Sequence, residues 1–442
     1  MTPVVRYAPS PTGRLHIGNI RPAMLNWLFA LKNGGQYILR MDDTDTARST
    51  REFADGIEQD LAWLGIEPSE LVRQSERSAL YDAARDRLIA AGRLYPCYET
   101  EDELDRRRKR ARALGKPPIY DRAALKLTPE DRVRLEAEGR KPHWRFRLDG
   151  RPVQFEDLIK GPQTVNTASM SDPVLVREDG SYLYTLPSVV DDIDLGITHV
   201  IRGEDHVSNT GTQIEIIEAL GGTIPVFAHH NLLTGAQGEG LSKRLGSLSV
   251  AQLREEGYEP LAVAIVAALT GTSLPVEPYP DLAAIADRLD FSMVSHGSAR
   301  FDPAELETLN ARILHAMPFE KARPRLATLG LDNEAWWLTL RENLRKFPDI
   351  VEWARLITGP VEPVIAPEDR DFLATARELL PPEPWDEATW SIWTSAVKEA
   401  TGRKGKGLFL PLRLALTGRA DGPELKSLLP LLGRKASLDR LP

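Results

Sequence analysis

The chain has 442 residues, of which 42% are apolar, and this composition predicts a multidomain globular protein with several hydrophobic cores. Its net charge is −8 at pH 7, so the overall electrostatic field of the molecule does not attract nucleic acid. A nucleic-acid partner would have to bind local basic patches. The one cysteine, Cys97, excludes an internal disulfide and a cysteine-based zinc cluster, and the lack of a signal-like segment or a membrane-length apolar run predicts a cytoplasmic protein without a membrane partner.

The first 41 residues predict a strand, a loop, a helix and a second strand. Val4–Ala8 is rich in β-branched and aromatic residues, and it runs into the Pro/Gly-rich stretch YAPSPTGRLHIGN. The helix that follows has Pro22 in its first turn and ends at Gly34–Gly35, before a strand QYILRM that delivers Asp42. This order predicts a right-handed parallel crossover and therefore the start of a nucleotide-binding α/β sheet.

The middle of the chain contains two basic stretches. Arg106–Arg112 holds six basic residues in seven, and 143–149 alternates apolar with basic residues. The alternation predicts a half-buried strand with Arg145 and Arg147 on its polar face. Each stretch is either a surface that neutralises nucleic-acid phosphates or a solvated face.

The strand, loop and helix pattern of an α/β sheet returns after these stretches. Residues 174–186 predict a β-hairpin, and 198–222 and 226–235 then predict two strands with a helix between them. The sheet is therefore split by an insertion. From about Asp302 helical periodicity dominates, and 401–442 carries nine Lys/Arg against three Asp/Glu.

Two loops carry the residues best suited to nucleotide chemistry. His16 lies one turn before a helix N-terminus, where backbone N–H groups and the helix dipole favour a phosphate. Lys243 lies in the Gly-rich stretch GEGLSKRLGS, where a flexible cation can follow the phosphates of ATP. Each motif alone is more often a simple turn or a surface loop, but the two together at the edges of one split sheet favour an ATP site.

Four segments together resemble the class I aminoacyl-tRNA synthetases, and specifically the bacterial glutamyl-tRNA synthetase family. They are PSPTGRLHIGNIRPAMLNWLFA, ILRMDDTDTARS, LPSVVDDIDLGITHVIRGEDH and LSKRLGS. The resemblance covers essentially the whole chain. It implies an α/β fold: a split Rossmann-like parallel sheet with an inserted α+β acceptor-stem domain, followed by an all-α C-terminal anticodon-binding domain.

The family organisation implies five segments. We expect 1–80 and 171–235 to form the two halves of the Rossmann catalytic domain, 81–170 the acceptor-binding insertion, 236–301 a stem-contact region with the lysine loop, and 302–442 the helical domain. The implied reaction activates L-glutamate with ATP, taken up with Mg²⁺, and transfers the glutamyl group to the 3′ end of tRNA. No structural zinc is expected.

The resemblance also implies individual roles. His16 and Lys243 would be catalytic. The implied ATP-binding residues are His16, Gly18, Asn19, Leu241, Ser242, Lys243 and Arg244. The implied glutamate-binding residues are Arg6, Ala8, Ser10, Asp42, Tyr184, Ser188 and Arg202. Arg6 and Tyr184 would bind the side-chain carboxylate and Arg202 the α-carboxylate; the less favoured alternatives are an ion-paired strand residue for Arg6 and a core tyrosine for Tyr184.

The chain departs from the family pattern at a few of these positions. Asn19 stands where the first signature usually has a second histidine, and Gly240 where the second has its first lysine. Asp42 and Ser188 stand where the family commonly has Glu and Asn. The shorter arm of Asp42 would need a closer ligand ammonium or a bridging water.

The partners implied are ATP, L-glutamate and tRNA(Glu), bound by a monomer. An enzyme that also or mainly charges tRNA(Gln) with glutamate remains an alternative, and a non-catalytic tRNA-binding paralogue is a more distant one. A paralogue would be expected to lose His16 or Lys243, and both are present. Basic residues of the C-terminal segment are candidate tRNA contacts: Arg403, Lys404, Lys406, Arg434 and Lys435.

Overall fold

The computed structural model describes residues 2–45, 47–235 and 249–442. The chain forms two compact units, one comprising Met1–Leu253 and Val263–Asp302, the other Arg254–Ala262 and Pro303–Pro442. The first unit is α/β and the second is helical. Among the described residues, no helix combines the length and apolar character needed to cross a membrane.

A seven-stranded sheet forms the centre of the first unit. In spatial order its strands are β3 (Glu70–Arg73), β2 (Gln36–Met41), β1 (Val4–Tyr7), β9 (His199–Gly203), β10 (Val226–His230), β6 (Pro152–Asp157) and β7 (Gly161–Asn166). All neighbours are parallel except β6 and β7, which form an antiparallel hairpin. Strand β1 pairs with β2 on one side and with β9 on the other, so the strand order changes direction between β1 and β9. In α/β sheets, ligands bind at the carboxyl ends of the strands at such a switch point.

Helices surround this sheet, and they are α1 (Ile17–Lys32), α2 (Arg51–Trp63), α3 (Ser78–Ala90), α6 (Thr185–Asp194), α7 (Val207–Ala219) and α10 (Leu282–Arg288). Helix α1 buries Ile20, Met24 and Leu28, which recur at helical spacing on the face toward the sheet. Helices α8 (Val250–Glu255) and α9 (Pro260–Leu269) each cross the boundary between the units, and a short pair, β11 (Leu233–Thr234) with β12 (Ala299–Arg300), completes the first unit.

The insertion contributes two strands to a smaller antiparallel sheet, whose third strand follows the insertion directly; the order is β4 (Leu94–Cys97), β5 (His143–Phe146) and β8 (Val174–Val176). Its two helices, α4 (Glu101–Ala113) and α5 (Pro129–Ala137), bury no residue. The predicted α/β fold with a parallel sheet and a helical C-terminal part is thereby confirmed.

The structure differs from the sequence expectation at three places in and directly after the insertion. Strands β6 and β7 fall within 81–170 yet pair with β10, because their hairpin extends the edge of the large sheet. The predicted hairpin at 174–186 keeps only β8 and one bridge to Tyr182, since α6 begins at Thr185. Arg145 is not on a solvent face: it is buried, and its Nη1 donates to the Asp172 carbonyl at 2.7 Å.

The second unit contains eight further helices among its described residues: α11 (Pro303–Ala316), α12 (Phe319–Thr328), α13 (Glu334–Leu340), α14 (Asp349–Thr358), α15 (Arg370–Glu378), α16 (Glu387–Thr401), α17 (Lys406–Thr417) and α18 (Leu425–Arg440). They enclose two apolar cores, one around Trp337 and one around Trp393. Both indoles are fully buried, so these two tryptophans pack the cores and are unavailable to stack on bases.

Candidate active site

A cleft of about 570 Å³ opens at the carboxyl ends of β1, β9 and β10, at the switch point of the sheet. It collects side chains from the loop between β1 and α1 and from the segments after β8 and β9. The predicted site residues that line it are Arg6, Ala8, Ser10, His16, Gly18, Asn19, Tyr184 and Arg202. Residues separated by up to almost 200 positions in the sequence therefore meet in one cleft.

His16 is the residue that precedes the first turn of α1. Its backbone carbonyl accepts from the Asn19 N–H at 2.8 Å, and Asn19 Oδ1 accepts from the His16 N–H at 3.3 Å. The Tyr7 hydroxyl donates to the Asn19 carbonyl at 3.0 Å. Asn19 thus holds the helix start through a capping interaction, which gives a structural reason for asparagine where the family usually has histidine.

The His16 ring is half-buried, and its Nδ1 has no hydrogen-bond partner among the described residues. Burial lowers the pKa of this imidazole, so it is neutral at pH 7 and carries one N–H for donation. A neutral N–H donor beside a helix N-terminus can stabilise negative charge that develops on a phosphate.

The predicted lysine loop lies outside the described residues, so Gly240, Leu241, Ser242, Lys243 and Arg244 have no structural account. The described chain resumes at Ser249, which forms an antiparallel bridge with His16. The Val250 N–H also donates to the Leu15 carbonyl at 2.9 Å. The chain thus meets the His16 loop directly after the segment that contains Lys243.

Arg6 is both a cleft residue and an ion-paired one. Its Nε donates to Asp192 Oδ1 at 3.0 Å, and the Arg40 Nη1 donates to the same oxygen at 2.8 Å. Burial alone would raise the pKa of the Asp192 carboxyl, but the two guanidinium groups hold it below its usual value. Sequence reasoning missed both partners in this arrangement: Asp192 of α6, which contacts Arg6, and Arg40 of β2, which contacts Asp192.

Asp42 and Ser188 contact Arg40 and do not line the cleft. Arg40 Nε donates to Asp42 Oδ1 at 2.7 Å, and Arg40 Nη2 donates to Ser188 Oγ at 3.2 Å. Burial raises the pKa of the Asp42 carboxyl to about 6, against the lowering effect of Arg40. The two positions where the chain departs from the family's Glu and Asn therefore meet on one guanidinium.

Arg202 is buried at the end of β9. Its Nε donates to His229 Nε2 at 3.1 Å and its Nη2 to Thr210 Oγ1 at 2.8 Å, while its Nη1 has no hydrogen-bond partner among the described residues. Burial lowers the pKa of this guanidinium, and the neighbouring Tyr184 opposes the shift. Tyr184 itself is 37% exposed, which does not fit a core tyrosine.

One group of potential metal ligands lies in the insertion, where Cys97, Glu99 and His143 place ligand atoms within 4.8 Å of one another. The Glu99 carboxylate already accepts from the Tyr120 hydroxyl at 2.8 Å. The Arg145 guanidinium lies 4.3 Å from the centre of the Tyr120 ring, and its charge opposes a second cation nearby. Burial raises the pKa of the Cys97 thiol to about 12, so this donor set fits Zn²⁺ poorly.

Comparison with known proteins agrees with this arrangement. Residues 3–307 match the family model described as tRNA synthetases class I (E and Q), catalytic domain, and residues 312–442 match the model described as anticodon binding domain.

The chain is 63% identical to "Glutamate--tRNA ligase 2" of Methylobacterium sp. (strain 4-46), covering 100% of this chain and 99% of the relative. It is 57% identical to "Glutamate--tRNA ligase 1" of Brucella canis, with complete coverage of both. A crystal structure of a glutamate tRNA ligase from Elizabethkingia meningosepticum, in complex with its amino acid, superposes with a TM-score of 0.86 at 28% identity, over 100% of this chain and 98% of that one. The chain therefore belongs to the class I tRNA synthetases of the E and Q group, with a catalytic domain followed by an anticodon-binding domain.

Proposed function

We propose that this synthetase is a glutamate–tRNA ligase: it activates L-glutamate with ATP to glutamyl adenylate and pyrophosphate, then transfers the glutamyl group to the 3′ end of tRNA(Glu). The observation that carries the proposal is a cleft at the sheet switch point lined by His16 at a helix N-terminus and by two buried arginines, Arg6 and Arg202. Two cations suit a substrate that has two carboxylates. The relatives named as glutamate–tRNA ligases, identical at 57–63% of positions, support the same assignment.

The first step needs positioning and charge neutralisation rather than a protein nucleophile. A glutamate α-carboxylate oxygen attacks the α-phosphorus of ATP; a new P–O bond forms, and the bond from that phosphorus to the bridging oxygen of pyrophosphate breaks. Arg202 would hold the α-carboxylate. The His16 N–H, the N-terminus of α1 and Lys243 would stabilise charge on the phosphates, with ATP entering as its Mg²⁺ complex.

The second step transfers the acyl group to a ribose hydroxyl at the tRNA 3′ end and releases AMP.

Arg6, together with Tyr184, would bind the side-chain carboxylate. A guanidinium satisfies a carboxylate better than a neutral amide, which favours glutamate over glutamine. For Asp42 to hold the substrate ammonium, a bridging water would be needed, because Asp42 pairs with Arg40 and does not line the cleft.

Charging assays with purified tRNA isoacceptors test this function. We expect glutamate to be attached to tRNA(Glu), with ATP consumed, and glutamine to be rejected. Equal charging of tRNA(Gln) with glutamate would identify a non-discriminating enzyme, and tRNA binding without charging would identify a paralogue. We further propose that the enzyme acts as a monomer in the cytoplasm, where its tRNA substrates are found, and light scattering of the purified chain tests the monomer.

A further inference from the structure

We propose that Asp157 and His229 form a buried positioning pair that fixes the guanidinium of Arg202 for substrate binding. This inference rests on the proposed function, which assigns Arg202 to the glutamate α-carboxylate. Neither member of the pair lines the cleft, so they act through Arg202.

The pair is built into two neighbouring strands. Asp157 ends β6 and His229 lies in β10, and both side chains are fully buried. Asp157 Oδ1 accepts from the backbone N–H groups of Ile159 and Lys160, each at 2.9 Å, which fixes the carboxylate. His229 Nδ1 lies 2.5 Å from Asp157 Oδ2.

These contacts determine which ring nitrogen carries the proton. The bond to His229 and those from backbone N–H groups outweigh burial and lower the pKa of Asp157 to about 2, so it is a carboxylate that can only accept. The proton of the neutral imidazole is therefore on Nδ1, and Nε2 is an acceptor. Arg202 Nε donates to that Nε2 at 3.1 Å.

The consequence is a guanidinium held in one orientation. His229 holds Nε, and Thr210 Oγ1 accepts from Nη2 at 2.8 Å, so two of the three nitrogens are fixed by protein. Nη1 is the nitrogen without a hydrogen-bond partner among the described residues. If the proton moved to Nε2 of His229, its N–H and the Arg202 Nε–H would face each other as two donors, and the guanidinium would turn away. Small misplacements of a group that holds the substrate reduce both substrate binding and reaction rate.

A matched pair of substitutions at His229 tests the mechanism. In His229→Gln the amide oxygen can occupy the Nε2 position and still accept from Arg202. In His229→Asn the amide reaches only the Nδ1 position, so the bond to Asp157 is kept and the acceptor for Arg202 is lost. We expect His229→Asn to raise KM for glutamate by about tenfold or more, the loss expected for a hydrogen bond to a charged group.

We expect a clearly smaller rise in His229→Gln, with KM for ATP nearly unchanged in both variants. Equal KM for glutamate in wild type and His229→Asn would overturn the inference, as would equal rises in the two variants or a parallel loss for ATP. If the His229 variants do not fold by circular dichroism, Asp157→Asn serves instead, since its amide favours the wrong tautomer; an unchanged KM for glutamate there would also overturn it.

Arg202→Lys separates this inference from the proposed function. A raised KM for glutamate in Arg202→Lys with a normal value in His229→Asn would refute the positioning pair alone. An unchanged KM in Arg202→Lys would refute the α-carboxylate assignment itself.

Discussion

At the scale of single residues, His16 and Lys243 carry the chemistry proposed for ATP. His16 stands before the first turn of α1, is neutral at pH 7, and adjoins Ser249, where the described chain resumes after the lysine loop. A lysine side chain carries a compact charge on a long, flexible stem, so it can stabilise the phosphates as charge develops in the transition state.

We therefore expect Lys243→Ala to lower the single-turnover rate of charging by about 100-fold or more, the size of one lost electrostatic group. The fold should be unaffected, as measured by circular dichroism. Lys321→Ala, at an exposed lysine of the helical unit, is the matched control and should behave as wild type. A near-normal rate in Lys243→Ala would remove the lysine from the mechanism.

Arg6 is expected to set the preference for glutamate over glutamine. In Arg6→Ala the preference, measured as the ratio of kcat/KM for the two amino acids, should fall sharply because the cation that faces the side-chain carboxylate is gone. Arg6→Lys keeps the charge that pairs with Asp192 and should retain part of the preference. If wild type uses both amino acids with equal efficiency, the carboxylate argument is wrong.

At the scale of elements, the basic segment around the start of α17 is not uniform. Arg403 Nη2 donates to the Glu368 carbonyl at 3.1 Å, Nη1 pairs with Asp369, and the guanidinium lies 4.3 Å from the centre of the Phe372 ring. Lys404 and Lys406 are exposed. The two lysines are therefore better phosphate contacts than the arginine, which is bound within its own domain.

Replacing Lys404 and Lys406 together with Gln should lower the slope of log affinity for tRNA against log salt by up to about 2, at roughly 0.9 or less per phosphate contact. Arg403→Gln is the matched control; it should change thermal stability more than the salt slope. Fluorescence anisotropy with labelled tRNA(Glu) measures both slopes. An unchanged slope in the double lysine variant would make this segment a solvated face.

The small sheet of the insertion is expected to be stable without zinc. Because Arg145 adjoins the Cys97, Glu99 and His143 group and burial favours the protonated thiol, we predict substoichiometric zinc in the purified protein by elemental analysis. Chelation with EDTA followed by restored Mg²⁺ should leave charging unchanged. One equivalent of tightly held zinc per chain would contradict this prediction.

At the scale of the whole molecule, the two family matches correspond to the two compact units, with the candidate active-site cleft in the first and the anticodon-binding match in the second. The family resemblance implies that amino-acid activation requires tRNA. A physical route is that bound tRNA brings ATP and glutamate into the geometry needed for attack.

We expect exchange of labelled pyrophosphate into ATP to be negligible with glutamate alone and to appear when tRNA(Glu) is added. The tRNA-containing reaction is the positive control for active enzyme. Robust exchange in the absence of any tRNA would contradict the prediction and would indicate a cleft already competent for attack.

The sequence by itself determined the features that depend on contiguous residues. The loop before α1, the helix periodicity, the basic C-terminal segment and the family motifs are local patterns, and they predicted a split α/β sheet, a helical second unit and the cleft residues from Arg6 to Asn19. The edge hairpin β6–β7 escaped this reasoning because nothing local shows which sheet a hairpin will join.

The tertiary structure alone decided which charged groups meet. Arg6 and Asp192 are 186 residues apart, and Asp157 and His229 are 72 apart. No spacing rule links such positions, because their contact is created by strand order rather than by the period of a helix or strand. For the same reason the sequence placed Asp42 among the glutamate-binding residues and Arg145 on the polar face of a strand, whereas burial in the folded chain pairs Asp42 with Arg40 and binds Arg145 to the carbonyl of Asp172.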